Sequence, residues 1–229
     1  MITVLLPSRG RPEGAKATIE SFEQTKSMFD TRLTLVLNSN DPKISEYLEF
    51  ANNWMDVGPE VNTLTKKLNR GYNNLQFPFP LEKGDIVGFV ADDNRFRTDS
   101  WDAYIKQALS TPGIAYGNDL YQGEAIPTSW FVSYEIIDAL GWFALPGSDH
   151  MYLDNAWKVL GQRLGRLRYL NDIIIEHLHP VAGKGAWDET YKLSNTDERM
   201  VRDREAFERW ERFALNEDVA RINEALEAI

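Results

Sequence analysis

Two short apolar runs near the start, each closed by a polar turn and followed by an amphipathic stretch, constrain this chain more than any other feature. Ile2-Thr3-Val4-Leu5-Leu6 stops at Pro7 and passes through Ser8-Arg9-Gly10-Arg11-Pro12 into a helical periodicity over residues 14 to about 28. Arg32-Leu33-Thr34-Leu35-Val36-Leu37 ends in the turn-rich Asn38-Ser39-Asn40-Asp41-Pro42 before a second helical stretch over residues 43 to 53. Strand, helix, strand, helix in that order is the signature of a largely parallel sheet with helices packed on its faces. A weak strand near Trp54-Met55-Asp56-Val57 and a helix over 63 to 75 continue the pattern. The apolar Ile86-Val87-Gly88-Phe89-Val90-Ala91 then runs into Asp92-Asp93-Asn94.

After a helix over 100 to 109 the alternation loosens into an α+β half. Ile114-Ala115-Tyr116 and Trp130-Phe131-Val132 read as strands, 134 to 140 and 154 to 164 as helices, and Ile173-Ile174-Ile175-Glu176-His177-Leu178-His179 as a late strand. Residues 197 to 229 form a charged amphipathic helix with a break expected near Asn216, and Ser194 with Asp197 three residues on has the form of a capping signal. A chain of 229 residues with 43% hydrophobic content buries one core. The reading is therefore one domain over 1–191, divided into 1–99 and 100–191, with a C-terminal helical extension over 192–229. No stretch is apolar enough to span a bilayer, and a cytoplasmic protein is expected.

A formal net charge of −10 gives no long-range attraction to a phosphate backbone, which argues against general nucleic-acid binding. Arg163, Arg166 and Arg168 form the one basic stretch and read as a solvated helix end. With no cysteine, any metal must be held by carboxylate, carbonyl or imidazole, which favours Mg or Mn.

Ligands of open α/β sheets bind beyond the carboxyl ends of the strands. Those ends carry Ser8, Arg9 and Arg11 after strand one, Asn38, Asn40 and Asp41 after strand two, and Asp92, Asp93 and Asn94 after the central strand. Together they suit a base, a ribose and a metal-bound diphosphate, although Asp-Asp-Asn is also a common helix-capping turn. Adjacent carboxylates at the end of a buried strand repel, and a divalent cation relieves that repulsion. All three histidines lie between Asp149 and Pro180, and in an extended segment His177 and His179 share a face, so either qualifies as a further metal ligand. Asp149 and Asp154 open a helix, where they serve either as caps or as a general base. Lys184, between two glycines, is a candidate lid over a diphosphate or a solvated loop lysine. Trp130, Trp142, Phe143 and Tyr152 are aromatic candidates for an acceptor pocket.

Val4-Leu5-Leu6-Pro7-Ser8-Arg9-Gly10-Arg11-Pro12, Val36-Leu37-Asn38-Ser39-Asn40-Asp41, Gly88-Phe89-Val90-Ala91-Asp92-Asp93-Asn94 and His177-Leu178-His179-Pro180 together resemble the GT-A glycosyltransferases. The resemblance covers most of residues 1 to 191 and is greatest to small family-two-like enzymes of bacteria and bacteriophages. It implies a single Rossmann-like α/β domain with a mostly parallel central sheet, an α+β acceptor half and a C-terminal helical segment. It also implies that the loop carrying Pro7, Ser8, Arg9 and Arg11, together with Asp92 and Asn38 or Asp41, contacts a nucleoside-diphosphate sugar, UDP by family habit. The family's acidic motif usually reads Asp-x-Asp; here it is Asp92-Asp93-Asn94, leaving open whether Asp93, Asn94 or both reach a divalent metal. The family's base maps onto Asp154, with Asp149 as the rival, and base catalysis there implies inversion. The implied reaction moves a hexose to a hydroxyl acceptor, whether a modified DNA base, a protein or a glycan. A nucleotidyltransferase and a non-catalytic nucleotide- or sugar-binding module are the alternatives.

Overall fold

The structure is a computed structural model that describes residues 1–51, 55–75 and 80–228. Trp54 of the expected weak strand, Asn53 at the end of the second expected helix and Ile229 lie outside the described residues. The chain runs β1 (Ile2–Pro7), α1 (Pro12–Thr25), β2 (Thr31–Asn38), α2 (Ile44–Phe50), β3 (Met55–Gly58), α3 (Leu64–Asn74) and β4 (Ile86–Phe89) through its first part. It continues as β5 (Asn94–Phe96), α4 (Trp101–Ala108), β6 (Ile114–Asn118), β7 (Trp130–Ser133), α5 (Tyr134–Leu140), α6 (Leu153–Arg163), β8 (Leu167–His177), α7 (Glu189–Ser194), α8 (Asp197–Phe213) and α9 (Leu215–Glu227).

The strands form an eight-stranded sheet in the order β3-β2-β1-β4-β7-β6-β8-β5. The first four pair in parallel, so the ends of β1, β2 and β4 open on one edge. β7 then runs antiparallel between β4 and β6, β8 pairs in parallel with β6, and β5 lies antiparallel on β8. Neighbouring residues of the central strands serve opposite faces, as the pleat requires. Leu5, Val36 and Val87 enter one core cluster with Leu140, Trp157 and Trp210, while Val4, Leu35 and Ile86 enter the other with Phe22 and Trp101. Both faces are covered, which is why the strands read as continuous apolar runs.

The expected late strand begins at Leu167, six residues before Ile173, because β6 supplies a partner for the less apolar stretch ahead of it. The basic stretch belongs to this region and is not a free solvated end. Arg166 and Arg168 donate to the carbonyls of Pro112 and Thr111, and Arg163 to Asn216. β5 has three residues and no pattern of its own, and it exists because β8 pairs with it. The cap of α8 is Thr196, whose hydroxyl accepts from the Arg199 amide; Ser194 sits one element earlier, at the end of α7. The C-terminal segment breaks at Ala214, near the expected Asn216, and folds back on the body. Trp210, Leu215 and Ile222 are buried beside Leu140, Trp142 and Trp157, and Trp210 Nε1 donates to Asp218 at 2.8 Å. No described helix is long and apolar enough to cross a membrane.

Candidate active site

A cleft of about 500 Å³ opens at the carboxyl ends of β1, β2, β4 and β8 and is closed on the far side by the first turns of α6, α7 and α8. Its floor is a hydrogen-bonded network that begins where β1 ends. The Ser8 hydroxyl donates to Asp92 Oδ2 at 2.6 Å and lies 2.7 Å from the Tyr47 hydroxyl, which in turn accepts the Arg11 amide at 2.8 Å. Arg11 Nη1 reaches Asp92 Oδ1 at 3.2 Å. Its remaining donors grip Asp188, which caps α7, through Nε at 2.6 Å and through Nη2. Burial, and after it the neighbouring charge of Asp93, push the Asp92 carboxyl up to about 6 against the opposing pull of Arg11 and Ser8.

Asp93 stands beside Asp92 with a different environment. Its Oδ1 is buried with no hydrogen-bond partner among the described residues, and so is Nδ1 of His177. His177 Nε2 lies 3.4 Å from that oxygen, long for a hydrogen bond and close for an ion pair. The pairing of β5 with β8 makes this meeting, since Asn94 lies opposite His177 in register and the Leu178 amide donates to the Asp93 carbonyl at 2.9 Å. Burial alone would raise the Asp93 carboxyl, but His177 and Arg11 outweigh it and hold it below the usual carboxylate range. Burial would likewise lower His177, and Asp93 reverses that and raises it.

His179 is engaged on both ring nitrogens. Nδ1 accepts the Val181 amide at 3.2 Å and Nε2 lies 3.0 Å from the Tyr191 hydroxyl, while the ring stacks on Tyr121. Between the two histidines, His177 is the one with a nitrogen to spare. Asn94 is fully buried, and its Oδ1 accepts the Ala91 amide at 2.6 Å, locking the turn after β4. That bond uses one of the two lone pairs of the oxygen with which Asn94 was expected to reach a metal.

Asp154 lies in the first turn of α6 and lines the cleft, and burial raises its carboxyl. Asp149, its rival, points elsewhere: it is ion-paired with Arg202 of α8 and does not line the cleft. The 149–151 loop is held from below by Asp203 of α8, a fully buried carboxylate that accepts the amides of Asp149, His150 and Met151 at 2.9, 2.8 and 2.8 Å.

No family of sequences and no curated protein matches this chain. Solved structures do. The chain is similar to the mannosyltransferase PcManGT from Pyrobaculum calidifontis in complex with GDP-Man and Mn2+, with a TM-score of 0.58 and 14% identity over 99% of this chain and 74% of that one. It is similar to S. aureus TarS 1-349, with a TM-score of 0.55 and 10% identity over 94% and 73%. It is also similar to glucosyl-3-phosphoglycerate synthase from Mycobacterium tuberculosis in complex with Mg2+ and UDP, with a TM-score of 0.56 and 15% identity over 81% and 74%. The chain has the GT-A fold.

Within the GT-A fold, Pro7, Ser8, Arg9, Arg11, Asn38 and Asp92 all line the cleft. Asn38 does so with its amide already committed, Nδ2 to the Val61 carbonyl and Oδ1 to Arg70. Two of the expected donor contacts are not in the cleft lining. Asp41 is buried beside it, its two oxygens accepting the amides of Gly10 and Lys43, so it shapes the loop that carries Arg9 and Arg11. Lys184 is drawn out of the expected lid position by Glu176, to which its ammonium lies at 2.8 Å. Trp142 and Phe143 are core, whereas Trp130 and Tyr152 reach the cleft.

The structure adds residues that sequence reasoning did not assign. Lys67 of α3 is only 6% exposed, donates to the Ser8 carbonyl at 2.8 Å, and is pushed down to about 8 by burial. Tyr47, Asp188, His150 and Arg199 complete the network or the lining. Lys67 and Tyr47 sit in polar helical stretches where no motif marks them; only the way α2 and α3 dock on the strand ends turns them inward.

Proposed function

We propose that this chain is a metal-dependent glycosyltransferase that moves a sugar from a nucleoside diphosphate, a UDP-hexose being the first donor to test, to a hydroxyl acceptor with inversion at the anomeric carbon. The observation that carries the reading is the Asp93–His177 pair, each with an unsatisfied buried atom, in one cleft with Asp92, Arg11 and Asp154. Among the described residues no group of three or more histidine or carboxylate side chains is arranged to hold a metal. Two protein ligands suit a hard cation that takes its other positions from diphosphate oxygens and water. The same fold has been solved with GDP-Man and Mn2+ and with UDP and Mg2+ in the proteins named above.

Asp93 and His177 would hold the cation, whose contribution is to neutralise the departing diphosphate. Ser8 and Arg11 keep Asp92 oriented toward the donor. Asp154, a carboxylate with a raised proton affinity, accepts the proton of the acceptor hydroxyl as its oxygen bonds to the anomeric carbon and the bond to the diphosphate breaks. The diphosphate leaves with the bonding electrons.

Calorimetric titration with UDP, GDP, CDP and dTDP, with and without Mn, tests the reading. One diphosphate binds only with Mn, and Asp93→Ala abolishes that binding. Absence of binding by any of the four under either condition would sink the transferase reading and favour a non-catalytic module. Asp154→Asn keeps the donor affinity and lowers transfer roughly 10²–10⁴-fold; an unchanged rate would remove Asp154 as the base.

A further inference from the structure

The cleft is also lined by polar side chains that the donor network does not use. Arg199, in the first turn of α8, lines the cleft and donates from Nη1 to the Leu193 carbonyl at 3.0 Å; it forms no ion pair among the described residues. The imidazole of His150 and the hydroxyl of Ser194 line the same cleft and make no hydrogen bond to any described residue. The carboxylates nearby are otherwise occupied. Asp149 is paired with Arg202, and Asp203 is buried beneath the three amides of the 149–151 loop. Asp154 lines the same cleft, and the proposed reaction already uses it.

We propose that Arg199, with His150 and Ser194, forms an acceptor subsite for an anionic group, a phosphate or carboxylate carried close to the hydroxyl that receives the sugar. This rests on the glycosyltransferase reading of the same cleft. A guanidinium has five N–H donors and no acceptor, and it offers a carboxylate or phosphate a bidentate partner. Arg199 spends one donor on the Leu193 carbonyl and forms no ion pair among the described residues, and an anionic ligand supplies a charged partner for the donors that remain. The subsite is rigid because Asp203 locks α8 to the loop that leads into Asp154, and Tyr152 stacks on Phe207 of α8 with ring centroids 5.5 Å apart. Distance between the anion and the base is thereby set by one helix. The net charge of −10 opposes anions at long range, so selection here is by contact and not by steering.

The test uses the whole chain saturated with Mn and the diphosphate identified above, titrated with glycerol 3-phosphate and, as the neutral control, glycerol. The expected result is saturable binding of glycerol 3-phosphate and none of glycerol. Arg199→Gln weakens that binding at least about tenfold while leaving diphosphate affinity unchanged, and Arg199→Lys restores part of it. Failure of glycerol 3-phosphate to bind the loaded protein overturns the proposal, as does equal binding by the Gln variant. If Arg199→Gln instead weakens the diphosphate, Arg199 belongs to the donor site and the acceptor assignment is wrong. If the unsubstituted protein binds no diphosphate with Mn, the transferase reading itself has failed and the subsite falls with it, an outcome visible before any glycerol phosphate is added.

Discussion

His150 shows how the fold sets the chemistry of a single side chain. Burial first, and the charge of Arg199 second, press its proton affinity down to about 4, so the folded protein holds a neutral imidazole. An unfolded histidine takes a proton near pH 6.5. Between those values the unfolded state binds more protons than the folded one, so this contribution to stability is present above about pH 6.5 and is lost as the pH falls toward 4. The loss is on the order of 2–3 kcal/mol at the acid end, with the charge of Asp203 opposing the shift. Urea denaturation at several pH values should show the wild type losing stability over this window by that much more than His150→Gln; parallel curves would show that His150 does not titrate in it. The same reasoning separates Asp92 from Asp93, adjacent in sequence and opposite in their shifts, because one is buried against a carboxylate and the other faces an imidazole.

Among the elements, β8 decides whether the site exists. It pairs with β6 on one side and β5 on the other, and a bulge between Gly117 and Asn118 lets its second half rejoin β6 in a new register. The bulge depends on the missing side chain of Gly117, where a Cβ would stand 2.3 Å from the Ile173 carbonyl oxygen. Gly117→Ala must therefore displace β8, with an expected loss of about 1–3 kcal/mol in chemical denaturation. Because His177 rides on the same strand, metal-dependent nucleotide binding should weaken in the folded variant as well. A stable variant with unchanged binding would mean that β8 can shift without moving its end. Gly88 serves the adjoining strand similarly, since a Cβ there would fall 2.6 Å from the Phe131 ring and force β4 and β7 apart.

For the molecule as a whole, the C-terminal helices share in the core of the α/β body. Trp210, Leu215 and Ile222 are buried in the larger apolar cluster, and fully burying an aliphatic or aromatic side chain contributes roughly 1.5–3 kcal/mol. Removing three such groups takes away an amount comparable with the whole stability of a domain, about 5–15 kcal/mol. A chain ending at residue 191 should accordingly lose its near-ultraviolet circular dichroism and its cooperative thermal transition. It would also lose Asp203, and with it the three bonds that hold the 149–151 loop. A truncated chain that still melts cooperatively and binds nucleotide would show that the extension is dispensable.

What could be read from the sequence follows from local physics. Apolar periodicity, turn residues and the order of elements specify the parallel half of the sheet, and strand ends rich in Ser, Arg, Asn and Asp mark its ligand edge, because each of these is a property of neighbours along the chain. Asp92, Asp93, Asp154, His177 and the Ser8–Arg11 loop were legible in that way, and all line the cleft. Asn94 locks its turn through Ala91, three residues back, whereas the separation of His177 from His179 depended on partners brought in by the fold, among them Tyr191 and the β5–β8 pairing. So did the diversion of Lys184 to Glu176 and of Asp149 to Arg202, and the arrival of Lys67 and Arg199 in the cleft. A residue's type and spacing state what bonds it is able to make; which of them it makes is settled by the groups that folding brings within about 3 Å.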